Sequence, residues 1–489
     1  MILRIDGHDL HYEMENLCRL FFPDQKITVT ERPAEGENVY TGVSRAPDGT
    51  RVRVRADFPG FGREATDLLT KEEAADPRET GRRMSVLLFG LLAAYRGVRP
   101  PWGILTGVRP VKLFARLAES MGEREAARYF EEKLLVSPQK TELCRLTSLN
   151  QRGILSVPGP RSFSLYLSVP FCPTRCAYCS FVSTSVEKSF RLVPEYVGLL
   201  CEELERTAGL AAELGLSLDS VYVGGGTPTT LSAEQLSKVL GAVGRSFDLS
   251  RCREFTVEAG RPDTVTKEKL AALREGGVTR ISINPQTLSD EVLRAIGRNH
   301  TTEQTLSAFA LARREGFGNI NMDLIAGLPK DTPEGFRKTL EGVAALGPES
   351  VTVHTLALKR AARLSRGPAG PYAGDAAAVQ RMLADAGSAL AGRGYRPYYL
   401  YRQSRMVGNL ENTGWAKPGF ESCYNVFIME ERETILACGA GAVSKLVDPA
   451  GGRIERIFNF KYPYEYNGRF EEMMSRKDRV KEFYASLAE

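Results

Sequence analysis

Three closely spaced cysteines are the residues of this sequence best suited to chemistry. Cys172, Cys176 and Cys179 form a C-x3-C-x2-C pattern directly after a short apolar run. Thiolates hold iron–sulfur clusters, and a [4Fe–4S] cluster usually takes four of them. Three thiolates from one loop leave one iron without a protein ligand, and an open position is how a metal site admits a substrate. We therefore expect a [4Fe–4S] cluster with one accessible iron.

A zinc site is the alternative for these thiols. Structural zinc takes four ligands, and no fourth cysteine or histidine lies near the three in sequence. The remaining cysteines are scattered singly, which is typical of small buried apolar side chains; they are Cys18, Cys144, Cys201, Cys252, Cys423 and Cys438. A disulfide framework is not expected in a chain of this size and kind.

A glycine-rich turn follows the next strand-like run. Gly224, Gly225 and Gly226 precede Thr227 in the string GGGTPT. Consecutive glycines let the backbone approach a ligand with no side chain in between. A tight turn between a strand and a helix is the commoner meaning of such a string, so the glycines alone are weak evidence.

Single polar residues stand at or just beyond the ends of later strand-like runs. Taken one at a time, each is more often a helix cap or a surface residue. Together they fall on successive strand–helix units, and the carboxyl ends of barrel strands share one mouth. We expect these four side chains to converge there: Glu258, Gln286, Arg298 and Asp323.

The elements that must position these residues are strands and helices in alternation. Amphipathic helical stretches separate six short strand-like runs, at 165–169, 220–223, 255–257, 280–283, 320–325 and 351–355. This alternation predicts parallel strands joined by right-handed crossovers. Six units are too few for a closed eight-stranded barrel. The sequence therefore predicts an α/β fold with an open, partial (β/α)6 TIM-like barrel.

Two stretches rich in proline and glycine, at 156–162 and 366–371, divide the chain of 489 residues. They predict an N-terminal α+β domain at 1–155, the partial barrel at 162–365 and a C-terminal mixed α/β domain at 372–489 that covers the substrate. The loop 102–110 within the first domain is expected to be a structural turn.

Composition places the chain among ordinary globular proteins. Hydrophobic residues make up 43% and charged residues 26%, and the net charge is only +5, so a nucleic-acid partner is not expected. No run of 18 apolar residues appears, which predicts no membrane span. The first residues lack the pattern of a signal peptide. We expect a cytoplasmic monomer.

Residues 165–181 resemble the cluster loop of radical S-adenosylmethionine enzymes, in the string LYLSVPFCPTRCAYCSF. The proline, the tyrosine before the third cysteine and the following phenylalanine are similar to the oxygen-independent coproporphyrinogen III oxidase (coproporphyrinogen dehydrogenase) family. Nearly the whole chain resembles its HemZ-type branch. The resemblance implies that the open iron binds S-adenosylmethionine and that reduction of the cluster yields a 5′-deoxyadenosyl radical.

The same resemblance implies roles for single residues. Ser168 and Phe181 depart from the best-studied branch, which has histidine and a non-ligating cysteine at these positions. The residues implied to bind S-adenosylmethionine are Gly225, Gly226 and Thr227 at its methionine end, Arg298 at its carboxylate, Glu258 and Gln286 beside its nucleoside, Asp323 at its ribose, and Tyr166 and Ala357 at its adenosine.

The activity implied is the oxidative decarboxylation of two propionates of coproporphyrinogen III in heme biosynthesis, giving protoporphyrinogen IX. A reducing flavodoxin or ferredoxin would supply electrons. Propionates need cations, and we expect two groups to face each other over the mouth: Lys359, Arg360 and Arg363, and Arg402 and Arg405. Two alternatives remain: a heme-binding chaperone, and a radical enzyme acting on another tetrapyrrole.

Overall fold

The computed structural model describes residues 1–180, 184–359, 362–366, 374–448 and 450–487. Two residues named above, Phe181 and Arg360, lie outside the described residues. The chain forms two compact units, one of Met1–Ser148 with Tyr401–Glu411 and one of Leu149–Leu400 with Asn412–Glu489.

The first unit is built on a five-stranded sheet in the order β2-β1-β3-β4-β5. Its strands are β1 Ile2–Asp6, β2 Thr28–Thr30, β3 Val39–Ala46, β4 Gly49–Phe58 and β5 Phe61–Leu69. Its helices are α1 His11–Phe21, α2 Lys71–Ala75, α3 Pro77–Arg96, α4 Pro110–Met121, α5 Glu123–Arg128 and α6 Pro138–Leu155, the last of which runs on into the second unit.

The second unit contains one large sheet, a separate two-stranded sheet and the helices between the strands. The strands are β6 Ser162–Val169, β7 Phe171–Cys172, β8 Thr184–Ser185, β9 Ser217–Gly225, β10 Glu254–Glu258, β11 Arg280–Ser282, β12 Ile320–Ala326, β13 Ser350–Thr355, β14 Arg396–Tyr401, β15 Asn412–Ala416, β16 Thr434–Cys438, β17 Val443–Val447 and β18 Ile454–Phe458. The helices are α7 Val186–Ser189, α8 Val193–Glu213, α9 Ala233–Ser246, α10 Lys267–Glu275, α11 Asp290–Ala295, α12 Thr302–Arg314, α13 Pro333–Leu346, α14 Ala376–Ala391, α15 Cys423–Glu430, α16 Pro463–Gly468, α17 Phe470–Ser475 and α18 Asp478–Ala485.

The six predicted barrel strands are confirmed, and they lie side by side in chain order. The order β6-β9-β10-β11-β12-β13 is parallel throughout. Each of these strands is almost wholly buried, as expected where helices cover a parallel sheet. The fold is therefore an α/β partial barrel, and the carboxyl ends of its strands form one rim.

Strands from the C-terminal part extend the same sheet at both edges. β15 pairs antiparallel with β13, and β16 pairs in parallel with β6. β16 is buried along its whole length, which makes it a seventh parallel strand of the core. This grouping differs from the three parts expected from the sequence, because the C-terminal strands hydrogen-bond directly to barrel strands.

A buried ion pair ties the C-terminal helices to the barrel. Glu203 on α8 is 0% exposed and Lys477, between α17 and α18, is 4% exposed. The Lys477 Nζ lies 3.0 Å from the Glu203 Oε1. The Glu203 Oε2 also accepts from the Tyr466 hydroxyl at 2.6 Å and the Gly439 amide at 2.7 Å. The carboxylate is thus fully hydrogen-bonded, as a buried charge must be.

We predict that Lys477→Met lowers the free energy of unfolding by about 3–5 kcal/mol, because it leaves the Glu203 carboxylate buried without its cation. Urea denaturation followed by circular dichroism measures the change. The double variant Glu203→Gln with Lys477→Met is the control, and it should recover part of the loss. If the double variant is less stable than Lys477→Met alone, the pair is not what stabilises this contact.

Candidate active site

The loop that carries the three cysteines is held by backbone hydrogen bonds to the glycine-rich turn. The Gly226 amide donates to the Val169 carbonyl at 2.8 Å, and the Thr227 amide donates to the Phe171 carbonyl at 2.7 Å. β6 ends at Val169 and β9 ends inside the turn. The first two strand–helix units are therefore fixed to each other where Cys172 begins the motif.

The far side of the cysteine loop is anchored by later parts of the barrel. The Ala177 amide donates to the Ile296 carbonyl at 2.8 Å, just after α11. The Arg363 Nη2 donates to the Arg175 carbonyl at 2.6 Å. Bonds at both ends leave the loop little freedom, so the barrel sets the spacing of its thiols.

The three thiols differ in their surroundings. Cys176 is buried, whereas Cys172 and Cys179 are partly exposed. The Thr227 hydroxyl donates to the Cys172 Sγ at 3.5 Å, and the Arg261 Nη1 donates to the Cys176 Sγ at 3.8 Å. These contacts turn donors toward two of the sulfurs, which suits thiolate ligands.

Burial alone would raise the pKa of the Cys176 thiol. The guanidinium groups of Arg298 and Arg261 outweigh that effect and hold the pKa below its ordinary value, with a further contribution from the Tyr178 hydroxyl. A thiolate is the form that ligates metals. The charges around the loop therefore favour the thiolate form of Cys176, which can ligate a positively charged metal centre.

No three His, Cys, Asp or Glu side chains among the described residues are arranged around a single metal ion. A cluster of four irons spreads its ligands over a larger volume than one ion does. Three closely spaced thiols on one loop are the kind of donor that such a cluster takes.

The glycine-rich turn leaves a cradle that only glycine permits. Gly225 has φ of +104°, a conformation that side chains rarely adopt. A Cβ at Gly226 would lie 2.6 Å from the Phe171 carbonyl oxygen and 2.8 Å from that of Val169. The close approach of the turn to the cysteine loop thus depends on the absence of a side chain.

Glu258 is the last residue of β10 and accepts a hydrogen bond from the Tyr222 hydroxyl at 2.7 Å. Burial raises the pKa of this carboxyl to about 7, and nearby Asp323 adds to the shift, whereas the Tyr222 hydrogen bond, Arg280 and His354 oppose it. Near neutral pH, Glu258 is therefore poised between a donor and an acceptor.

Gln286 and Asp323 are joined through the backbone. The Gln286 amide donates to the Asp323 carbonyl at 2.9 Å, which holds Gln286 at a positive φ of 67°. The Gln286 Oε1 is buried and has no hydrogen-bond partner. A buried acceptor without a partner is costly, and it marks a place where a ligand with a hydrogen-bond donor would be stabilised.

The Asp323 carboxylate accepts from the Asn321 amide at 2.7 Å and lies 3.6 Å from the His354 Nε2. Burial would raise its pKa, but the His354 and Asn321 contacts outweigh burial and keep the pKa below its ordinary value. Asp323 therefore remains a charged acceptor at the middle of β12, which suits hydroxyl donors.

Arg298 is 6% exposed and reaches back to the preceding loops. Its Nη1 donates to the Asn284 carbonyl at 2.6 Å and the Gly260 carbonyl at 3.4 Å. The Arg298 Nε is buried without a partner. This leaves a donor available to a carboxylate beside the cysteine loop.

Tyr166 and Ala357 lie on the first and last barrel strands or just beyond them. The Tyr166 ring stacks against Tyr222 and Tyr424 with centroid distances of 6.3 Å and 6.2 Å. The Leu356 amide donates to the Ala326 carbonyl at 3.0 Å, which fixes the backbone before Ala357. The stack gives one wall of the site a flat apolar face.

The cations expected to bind propionates differ in their burial and contacts. Lys359 is half-buried, and burial lowers its pKa. Arg363 uses its Nη2 to hold the cysteine loop. Arg402 and Arg405 belong to the first compact unit, and Arg405 is exposed there.

Arg402 corrects an expectation. It is only 2% exposed. Its Nη1 donates to the Leu105 carbonyl at 2.6 Å, and its Nη2 donates to the Asn409 carbonyl at 2.9 Å. Its guanidinium also lies over the Trp102 ring, 5.3 Å from the centroid. Arg402 therefore stabilises the loop 102–110 of the first unit and does not offer its charge to a substrate propionate.

Sequence reasoning missed three residues of the site: Tyr222, Tyr424 and Arg261. The two tyrosines are far apart in sequence and meet only through the fold. Arg261 could have been found from the sequence. It follows β10 by three residues, and the loops after the neighbouring strands also carry polar side chains.

Comparison with known proteins agrees with this geometry. Residues 166–343 match the model of the Radical SAM superfamily. The chain is 37% identical, over 98% of its own length and 97% of the relative, to the oxygen-independent coproporphyrinogen-III oxidase-like protein HemZ of Bacillus subtilis. The chain belongs to the radical SAM superfamily, in its HemZ-type branch.

Two further relatives of this radical SAM protein cover less of it. The heme chaperone HemW of Bacillus subtilis is 38% identical over 40% of this chain and 50% of its own length. The solved structure of coproporphyrinogen III oxidase (HemN) from Escherichia coli, a radical SAM enzyme, matches with a TM-score of 0.53 and 26% identity. That match covers 66% of this chain and 72% of the other.

The cofactors of this radical SAM protein are a [4Fe–4S] cluster and S-adenosylmethionine. The residues present fit both. Cys172, Cys176 and Cys179 would supply thiolates for three irons. The free acceptor on Gln286 and the free donor on Arg298 match a ligand that carries hydroxyl, amino and carboxylate groups.

We predict that Gly226→Ala lowers the iron and sulfide bound per chain after anaerobic reconstitution, because the new Cβ would push the cysteine loop away from the turn. Gly244→Ala is the matched control. A Cβ at Gly244 meets nothing within 4 Å, and alanine favours its helix α9. Equal iron content in both variants would contradict the close approach.

We predict that Glu258→Gln reduces the pH dependence of stability. Burial raises the pKa of Glu258 from its ordinary value of 4.5 to about 7 in the fold. Between these values the folded protein holds the extra proton, so its stabilisation is present at low pH and is lost as pH rises through the folded pKa. The thermal midpoint of the reconstituted protein without S-adenosylmethionine should fall less steeply in the variant.

The comparison spans about pH 5 to pH 8, where this linkage acts. Asp323, Arg280 and His354 face Glu258 and remain in both proteins. The two proteins therefore differ at this one ionisable group. Parallel curves for the variant and the wild type would mean that Glu258 does not carry the extra proton.

Proposed function

We propose that this protein is an oxygen-independent coproporphyrinogen III oxidase, which oxidatively decarboxylates two propionates of coproporphyrinogen III to the vinyl groups of protoporphyrinogen IX. The observation that carries the proposal is similarity over 98% of the chain to a coproporphyrinogen-III oxidase-like protein. Relatives named as heme chaperones match a smaller part, from 40% to 67% of the chain. The substrate assignment follows the full-length relative.

Each propionate loses carbon dioxide, one hydrogen atom and one electron, and the electron passes to an acceptor. When bound, the cluster and S-adenosylmethionine supply the radical that removes the hydrogen. The chain supplies binding, orientation and exclusion of water. A flavodoxin or ferredoxin is the proposed source of electrons for the cluster. We propose a cytoplasmic location, where a disulfide framework is not expected.

The site residues divide between the two ends of the bound cofactor. We place its methionine end at Gly225, Gly226, Thr227 and Arg298, where the turn and a free Nε meet the cysteine loop. We place its nucleoside end at Tyr166, Glu258, Gln286, Asp323 and Ala357. The unpartnered Gln286 Oε1 supports the second placement, because a ribose or adenine donor would satisfy it.

The substrate is a wide apolar ring with four carboxylates. Arg363 and Lys359 follow β13 on the side of the rim that holds the cysteine loop. Their position supports a role for these two cations in binding propionates, and the exposed Arg405 remains a further candidate.

Among the described helices none is both long and apolar enough to cross a membrane.

A heme chaperone is the second candidate, because relatives with that name share the radical SAM region. A heme iron needs an axial ligand, and His354 lies beside Asp323 among the site residues. Its Nε2 lies 3.6 Å from the Asp323 carboxylate. Heme binding through this atom would compete with that contact.

Anaerobic incubation with dithionite, S-adenosylmethionine and coproporphyrinogen III tests the proposal. Mass spectrometry should show the loss of two carboxyl groups per macrocycle with the wild type. Cys179→Ala should give no product, because it lacks a cluster ligand. Cys201→Ala, which removes a thiol on α8, is the matched control and should remain active.

A parallel vial with heme separates the alternatives. Tight heme binding without any decarboxylation would contradict the proposal and favour the chaperone. Cleavage of S-adenosylmethionine with neither decarboxylation nor heme binding would indicate a radical enzyme acting on another tetrapyrrole.

A further inference from the structure

Arg261 is a buried arginine directed at the cysteine loop. It follows β10 by three residues and is 3% exposed. Its Nε and Nη2 each bond one oxygen of the Asp263 carboxylate at 3.1 Å. This paired contact uses the planar fork that distinguishes arginine from lysine, and it fixes the direction of the remaining nitrogen.

The third nitrogen of Arg261 contacts the cysteine loop at three atoms. Its Nη1 donates to the Thr174 hydroxyl at 3.1 Å and lies 3.4 Å from the Thr174 carbonyl oxygen. The same Nη1 donates to the Cys176 Sγ at 3.8 Å. Asp263 therefore fixes the guanidinium through Nε and Nη2, and the remaining nitrogen, Nη1, is directed at the Cys176 sulfur.

Asp263 does not cancel the effect of this charge on the sulfur. Its side chain is 20% exposed, whereas that of Arg261 is 3% exposed. Water therefore screens the carboxylate more than the guanidinium. The nitrogen that faces Cys176 is also the one that Asp263 does not contact, so the positive end of the pair lies nearest to the cluster ligand.

A hydrogen bond and a cation at a ligand sulfur alter the energy of the reduced cluster. Reduction adds one electron to the cluster and no proton, so the reduced form carries one more negative charge. Hydrogen bonds to the sulfurs and the net charge of the site are among the features that set the potentials of such clusters. A fixed donor at Cys176 should favour the reduced form.

We propose that Arg261 raises the reduction potential of the [4Fe–4S] cluster through its Nη1 contact with the Cys176 sulfur, so that a low-potential flavodoxin or ferredoxin can reduce it. Arg261 is thus a positioning residue that acts through a cluster ligand. The role does not depend on the substrate, and it stands whether or not coproporphyrinogen III is the one used.

The test measures the midpoint potential of the cluster in the reconstituted full-length protein without S-adenosylmethionine. Electron paramagnetic resonance follows the reduced cluster as dithionite lowers the potential in the presence of mediators. Arg261→Met, which removes the charge and the donor, should have a more negative midpoint than the wild type. Arg261→Lys, which keeps the charge without the fork, should lie between them.

Arg274→Met is the matched control. Arg274 is an exposed arginine on α10, in the same strand–helix unit as Arg261, and its Nη1 donates to the Gly316 carbonyl at 3.1 Å. The control loses the same charge without touching the cysteine loop, so its midpoint should match the wild type.

Iron and sulfide analysis separates tuning from a purely structural role. An unchanged midpoint in Arg261→Met with full iron content would overturn the proposal. If that variant does not retain the cluster, Arg261→Gln replaces it and should again have a more negative midpoint. Loss of the cluster from both variants, with Arg274→Met intact, would overturn the proposal in favour of a structural clamp.

Discussion

The backbone contact between the cysteine loop and the glycine-rich turn is the constraint on which the site depends. Gly226 and Thr227 donate to carbonyls on either side of the end of β6, and a side chain at Gly226 would not fit. The parallel register of β6 and β9 brings these segments together. The sheet therefore positions the three thiols through the main chain, and the surrounding side chains adjust their chemistry.

Positive and negative groups occupy different parts of the site. Two arginines meet the buried thiol of Cys176 and stabilise its thiolate, which favours an electron-accepting group at that end. Burial raises the pKa of Glu258 to about 7, whereas the pKa of Asp323 stays low and its carboxylate stays ionised beside His354. A protonated carboxyl can donate a hydrogen bond and an ionised one can only accept, so the two acids can bind acceptors and donors of one polar ligand. This division agrees with a cofactor that carries both kinds of group along its length.

The sequence predicts the barrel well because its strands are short apolar runs separated by amphipathic helices. It predicts the thiols and the rim residues because their types and spacing are unusual. No apolar run marks β5 in the sequence, since that strand is largely exposed and polar. The sequence also misassigns Arg402, because an arginine bonded to carbonyls looks the same in sequence as one at a surface. The contact between Arg261 and Cys176 joins distant residues, and no local pattern records it.

The central claim is that the cysteine loop presents a [4Fe–4S] cluster with one iron open to S-adenosylmethionine. The most direct measurement is the electron paramagnetic resonance spectrum of the dithionite-reduced protein before and after S-adenosylmethionine is added. We predict that the g values of the reduced cluster change on addition, because the cofactor would ligate the iron that lacks a cysteine. A full-strength cluster signal that is identical with and without S-adenosylmethionine would contradict it.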